Sequence, residues 1–316
     1  SVQEPLVQTV VSPDIASSGD LVLPESQASP EPASSESENP ESENPEPETA
    51  DAETGANLSG NPDALKKRIR EIATYYGGVY GVTVTDPASG ETVSFGSDET
   101  FFAASIGKLP TLLSLYKAAA QGEVDLDEEI TMQTSDVQSY GTGVLHTNPV
   151  GYTLTLRKCA FHLINDSDNT AWVMLTRYLG EERIQADLTE IGAYDTGYWI
   201  PNTTTADDVQ LMLEKISDPS FTSPELSEEM LYAMTDTFSE DRIPGGLPPD
   251  VRVAHKIGTY GTNFSDAGLV FEKNGDSEEA YSLVVFTDGM GETTARAAIQ
   301  EISAAAHETF GPDSSR

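Results

Sequence analysis

The chain has 316 residues, 53 of them acidic and 17 basic, for a formal net charge of −36. That balance disfavours nucleic acid and anionic membrane surfaces as partners. The single cysteine, Cys159, excludes an intrachain disulfide, and no apolar run reaches the roughly 18 residues of a membrane-spanning helix.

The first 60 residues carry 13 acids and no Lys or Arg, and include the near-repeat SENPESENPEPE at 37–48. So much Glu, Pro and Ser cannot bury enough apolar surface to offset the entropy of ordering, and the charges repel. Residues 1–60 are therefore expected to form a disordered, extended linker, and 61–316 one globular domain. The chain begins with Ser and lacks a signal-like basic and apolar segment, so a targeting segment removed ahead of this numbering is expected. An acidic stalk before a folded domain suits an extracellular protein, secreted or tethered at the cell surface.

Within the domain, Pro62 and Leu65, Ile69, Ile72 and Ala73 predict a first helix that Gly77-Gly78 ends. VYGVTVTD and ETVSFG alternate around PASG and predict a β-hairpin. FFAASIGKLPTLLSLYKAAAQG, residues 101–122, reads as a strand end running into a helix that stops at Gly122. Residues from about 123 to 245 hold helical patterns and turn signals with little strand character, which predicts an all-α lobe. Strands return in VRVAHKIG, FSDAGLVFE and AYSLVVFTD, and a last helix runs from about Glu292 to Thr309. Two strands, a helical stretch, three strands and a final helix is an α+β order. An antiparallel five-stranded sheet takes strands from both chain ends and is flanked by the terminal helices. The cleft between sheet and lobe is the natural ligand site.

Three short motifs bear on that cleft. Ser105 and Lys108 stand three apart at the helix start, on one face, where a hydroxyl and an amine can meet. A Lys in a dehydrated cleft can lose its proton near neutral pH and deprotonate a serine. By composition such a pair arises by chance about once in a chain like this, so alone it also reads as a polar first turn. Ser167, Asp168 and Asn169 lie in a break between two helices, where they serve equally as an N-cap or as a proton relay and amide binder. Lys256, Gly258 and Thr259 end a strand, with Gly258 allowing close approach to the backbone; alone this reads as an edge strand entering a turn.

Together, SxxK, SDN and KxG in this order, 62 and 89 residues apart, resemble the signature of the class A β-lactamase and penicillin-binding D,D-peptidase superfamily. The resemblance spans about residues 62–311, and SYGTGVL (139–145) and NTTTADDVQLML (202–213) extend it. It implies a β-lactamase/transpeptidase-like fold in which Ser105 forms an acyl-enzyme and Lys108 is its general base. Ser167 passes the proton to the leaving nitrogen, and Asn169 binds the substrate's amide. Lys256 supplies charge for the substrate carboxylate, and the Ser105 and Thr259 N–H groups form the oxyanion hole. Such donors are worth on the order of 3 kcal/mol each. Tyr140 is a candidate aromatic wall of the cleft, with local packing an equal alternative.

Two departures qualify the resemblance. Ile257 stands where the usual Lys-Thr-Gly has Thr, and the Thr259 hydroxyl is the candidate replacement. The segment 191–209, where class A enzymes carry a Glu that activates the deacylating water, holds no Glu; Asp195 is its only acid ahead of the following helix. The expected activity is acylation by β-lactams or peptidoglycan peptides with slow deacylation. The alternatives are an efficient β-lactamase with another base and an inactive binding module. No cofactor or metal is expected, since His146, His162, His255 and His307 lack ligand spacing, and a monomer is the expected form.

Overall fold

The computed structural model describes residues 57–274 and 277–311. Helix α1 (Pro62–Tyr76) is capped by Asn61, whose side chain accepts the Ala64 N–H, and stops at Gly77. Its Leu65, Ile69 and Ile72 are fully buried, worth about 1.5–3 kcal/mol each. Strands β1 (Val79–Asp86) and β2 (Glu91–Phe95) form the hairpin that alternation predicts, paired from Val82↔Phe95 to Asp86↔Glu91. There follow β3 (Phe101–Phe102), a 3-10 turn Ala104–Lys108, α2 (Leu109–Ala120), β4 (Glu129–Thr131), β5 (Thr153–Thr155), α3 (Leu156–Ile164), α4 (Asn169–Leu179), α5 (Glu181–Ile191), β6 (Thr203–Thr204), α6 (Ala206–Ser217) and α7 (Pro224–Ala233). The chain then returns through β7 (Arg252–Tyr260), β8 (Asn263–Asn274) and β9 (Ser277–Asp288) to α8 (Glu292–Phe310).

The main sheet is antiparallel in the order β2-β1-β9-β8-β7, so it does join strands from both ends of the domain. Its two faces bury separate cores. Val82, Val84, Leu283 and Val285 pack with Leu65 and Ile69 of α1 and Ile299 and Ile302 of α8. Ala267, Leu269, Val284 and Phe286 pack instead with α2 and the lobe. Strand β9 is therefore apolar on both sides, which is why its sequence reads as a continuous run. Helix α2 is buried from Leu109 to Ala118 and forms the centre of the lobe, with Cys159 in the same core.

The lobe corrects the expectation of an all-α region in one respect. It holds short strands, β4 paired with β5, and β6 paired with β3 across Phe101↔Thr204. Two- and three-residue ladders carry too little alternation to register in a sequence. The expected linker at 1–60 lies outside the described residues except at 57–60. There Leu58 is buried and the Gly60 N–H donates to Thr309 O, so these residues dock on α8. Strand β8 extends to Asn274 and β9 starts at Ser277.

Candidate active site

Ser105 does not open the α-helix itself. It sits in the 3-10 turn that precedes α2, and Pro110 falls at the second position of α2, where its missing N–H costs little. The turn is entered through Ala104, a buried non-glycine at φ 48°, in the left-handed region. Asn202 holds this strained step from both sides. Its backbone O accepts the Ala103 N–H at 2.8 Å, and its Nδ2 donates to Ala104 O at 3.3 Å. A β-carbon on Gly107 would lie 2.3 Å from Asn202 Oδ1, so the glycine at 107 leaves room for the Asn202 amide. Ser167, Trp199 and Asn202 also have positive φ, so four of the five left-handed non-glycine residues, Asp236 being the other, gather on this one place, as stored strain does at functional sites.

Lys108 is fully buried. Its Nζ lies 3.0 Å from Ser105 Oγ, 3.0 Å from Ser167 Oγ, 2.6 Å from the Ser167 carbonyl and 2.8 Å from Asn169 Oδ1. Two of these neighbours are carbonyl-type oxygens that can only accept. They take both hydrogens of a neutral amine and leave its lone pair free for a hydroxyl proton. Burial pushes the Lys108 amine well below its ordinary range, the charge of Lys256 adds to this, and Asp168 opposes it. The Trp172 ring covers a further side of the amine, its centroid 5.3 Å from Nζ. Trp172 is fixed by Nε1 donating to Thr111 Oγ1 and Tyr198 Oη, and by an edge-to-face contact with Trp199.

The SDN break adopts the cap and the site geometry at once. Asp168 caps α4, its Oδ1 accepting the Ala171 N–H at 2.9 Å. Its Oδ2 accepts the Val144 and Leu145 N–H groups at 2.6 and 2.7 Å and so ties the 140–145 loop to the helix. Asn169 Nδ2 donates to Tyr140 O at 3.3 Å. The expected substrate amide binder thus spends its oxygen on Lys108, and Tyr140 meets the site through its carbonyl while its side chain is exposed.

Strand β7 is the outer strand of the sheet, so one of its edges is unpaired. Gly258 lets it reach the Ser105 turn: a β-carbon there would stand 2.9 Å from Ala103 O and 2.5 Å from Ser265 Oγ. Lys256 is buried, with Nζ donating to Ile257 O at 3.0 Å. Its amine is pushed down to about 7, by burial first, against the pull of Asp266 and with help from Arg242. The permanent positive charge in this corner is therefore on Arg242, which the sequence reading did not single out. Its Nη1 donates to Gly258 O at 2.7 Å and to Ser265 O, and its Nη2 donates to Thr259 Oγ1. The Thr259 hydroxyl, the candidate replacement at Ile257, accepts from Arg242 and keeps its own hydrogen to donate. The only sequence signal for Arg242 is a basic residue in an acid-rich chain.

The segment 191–209 brings no carboxylate to the Ser105 turn. Asp195 is exposed, Asp207 accepts from Thr83 Oγ1 and Ser97 Oγ, and Asp208 accepts from Thr196 Oγ1. Asn202 is the side chain that reaches the nucleophile's turn. Among the described residues no group of His, Cys, Asp and Glu is arranged to hold a metal ion.

A model of the beta-lactamase enzyme family matches residues 64–310. The chain is 27% identical over 241 residues to a beta-lactamase of Amycolatopsis lactamdurans, covering 67% of this chain and 75% of that one. It is 22% identical over 238 residues to beta-lactamase VEB-1 of Pseudomonas aeruginosa, covering 67% and 79%. Among solved structures, a mutant of PBP-A in acyl-enzyme complex with penicillin G superposes with a TM-score of 0.71 at 25% identity, covering 77% of this chain and 94% of that one. The beta-lactamase from Sphaerobacter thermophilus DSM 20745 gives 0.69 at 25% identity, covering 77% and 95%.

Proposed function

The chain belongs to the beta-lactamase enzyme family and is a serine hydrolase of that type, and on that premise we propose that it acylates rapidly and deacylates slowly. The substrates are β-lactams or D-Ala-D-Ala-type cell-wall peptides. The observation that carries this reading is an asymmetry. A buried amine, pushed well below its ordinary range, lies 3.0 Å from the Ser105 hydroxyl, while the segment 191–209 brings no carboxylate to the Ser105 turn and reaches it through Asn202.

Acylation follows from the donor arrangement. The Ser105 proton passes to the Lys108 lone pair as Oγ attacks the substrate carbonyl carbon. The resulting oxyanion is held by backbone N–H groups at the Ser105 turn and the β7 edge. Ser167, 3.0 Å from the same amine, donates its proton to the leaving nitrogen and takes one from Lys108, the C–N bond breaks, and the acyl group stays on Ser105. Arg242 and the Thr259 hydroxyl receive the substrate carboxylate, with Lys256 behind them. Two basic groups in so acidic a chain make this corner the place to which an anionic substrate is drawn.

Hydrolysis of the ester needs a base for water. Lys108 returns to neutrality after acylation, and the relatives named beta-lactamase support β-lactam hydrolysis with another base as the second reading. An inactive binding module is disfavoured by the intact constellation of Ser105, Lys108, Ser167, Asn169 and Lys256. Substrates of this kind, with the acidic composition of the first 60 residues, fit a protein working outside the cell.

The test is labelling with a fluorescent penicillin alongside turnover of a chromogenic cephalosporin. Covalent label on the wild type, none on Ser105→Ala, and turnover below about 1 s⁻¹, the low end of ordinary enzyme rates, are expected. Faster turnover would favour the second reading, and no label with no turnover would leave the binding module.

A further inference from the structure

His255 and Asp266 form a buried pair that the chemistry above does not use. Both side chains are fully buried, and His255 Nδ1 lies 2.8 Å from Asp266 Oδ1. Each partner reaches the segment that joins α7 to β7. From His255, Nε2 lies 3.2 Å from Glu240 Oε1 and 3.2 Å from Thr237 Oγ1, and the backbone N–H donates to Met234 O at 2.7 Å. From Asp266, Oδ2 accepts the Ile243 N–H at 2.9 Å. Glu240 in turn accepts the Thr237 N–H at 2.6 Å and the Thr237 hydroxyl at 2.9 Å. The pair thus grips the segment at its start, its middle and its end, and Arg242 lies between the last two grips.

We infer that His255 is a positioning residue for substrate recognition: with Asp266 and Glu240 it sets the 234–243 segment so that Arg242 reaches Thr259. This rests on the reading that Arg242 and Thr259 receive the substrate carboxylate. A histidine suits the task because its two ring nitrogens, both donors when charged, span one carboxylate on β8 and another on the segment. Burial alone would push the imidazole down, but Asp266 and Glu240 hold it up to about 9. Glu240 is held below its usual range by His255 and Thr237 although burial opposes this. The segment has other fastenings that do not touch the pair: Asp241 meets Arg296 at 2.9 Å, and Asn165 Nδ2 donates to Thr235 O at 3.0 Å. Loss of His255 therefore loosens the delivery of Arg242 without releasing the whole segment.

The experiment compares penicillin G with its methyl ester, which lacks the carboxylate. Second-order acylation rate constants are measured for wild type, Arg242→Gln, His255→Gln and His255→Asn. An Asn amide can replace only the Nδ1 donor and a Gln amide only the Nε2 donor, so each breaks one grip. The expected result is an acid-over-ester preference that falls about tenfold in Arg242→Gln and several-fold in both His255 variants, while the His255 variants keep the ester rate within about twofold. Amide exchange should quicken only within 234–243. If the His255 variants keep the wild-type preference, or lose rate equally on acid and ester, the inference is wrong and the carboxylate reading stands. If Arg242→Gln leaves the preference unchanged, the carboxylate reading fails and takes the inference with it. Should neither His255 variant fold, Glu240→Gln carries the test, with a reduced preference expected and an unchanged preference overturning the proposal.

Discussion

Asp168→Ala should destabilise the domain far more than an ordinary surface change, because one carboxylate serves a helix and a loop together. Loss of the N-cap bond to Ala171 costs about 1 kcal/mol. The Leu145 N–H is then left unpaired in a buried place, which costs about 1–3 kcal/mol, and the half-wet Val144 N–H adds about 0.5–1.5 kcal/mol. The expected total is about 3–5 kcal/mol. At about 2–4 °C per kcal/mol for a domain of this size, the melting midpoint falls by about 10 °C. Asp168→Asn separates the contributions, since an amide presents one oxygen and cannot accept from both the helix and the loop. It should lose roughly half as much. Thermal unfolding followed by circular dichroism measures both. A shift under about 2 °C for the Ala variant would refute the idea that Asp168 ties the two elements, and with it the explanation of how the Tyr140 carbonyl comes to orient Asn169.

Three further outcomes follow from the same geometry. Acylation should slow as pH is lowered, because the reaction uses the neutral Lys108 amine, which burial pushes well below its ordinary range; a stopped-flow profile that speeds up as pH falls from 8 to 6 would contradict this. Lys108→Arg should abolish acylation, by about 10³-fold or more, since a guanidinium stays protonated and cannot serve as a base; measurable labelling of this variant would point to another base. Gly258→Ala puts a methyl group 2.9 Å from the Ala103 carbonyl, so β7 must move off the Ser105 turn; labelling should slow about 100-fold with a stability loss of about 1–3 kcal/mol, and near-normal labelling would show that the strand can yield.

Alternation and glycine stops made the sheet legible: β1, β2 and the apolar β9 lie where the sequence predicts them, and α4 ends at Gly180 as its pattern requires. The Ser105–Lys108 and Ser167–Asn169 pairs were legible because each is local, and the fold then brings both to one amine. What escaped the sequence is non-local or conformational. Arg242 acts 17 residues from Thr259 through a loop with no motif. Asn202 matters through a left-handed backbone and a clamp on Ala104, neither of which leaves a mark in composition. His255 read as an isolated histidine because its partners, Asp266 and Glu240, come from the next strand and the preceding loop. The 3-10 turn at Ala104–Lys108 is hidden for a simpler reason, since it runs directly into α2 and shares its apolar spacing.

The central claim is that Ser105 acylates readily and lets go slowly, and intact-protein mass spectrometry over time after mixing with penicillin G tests it most directly. The account predicts one penicilloyl adduct, mapped to Ser105, that forms within the mixing period and decays far more slowly than about 1 s⁻¹. Rapid consumption of penicillin with no accumulated adduct, or an adduct on any residue other than Ser105, would contradict it.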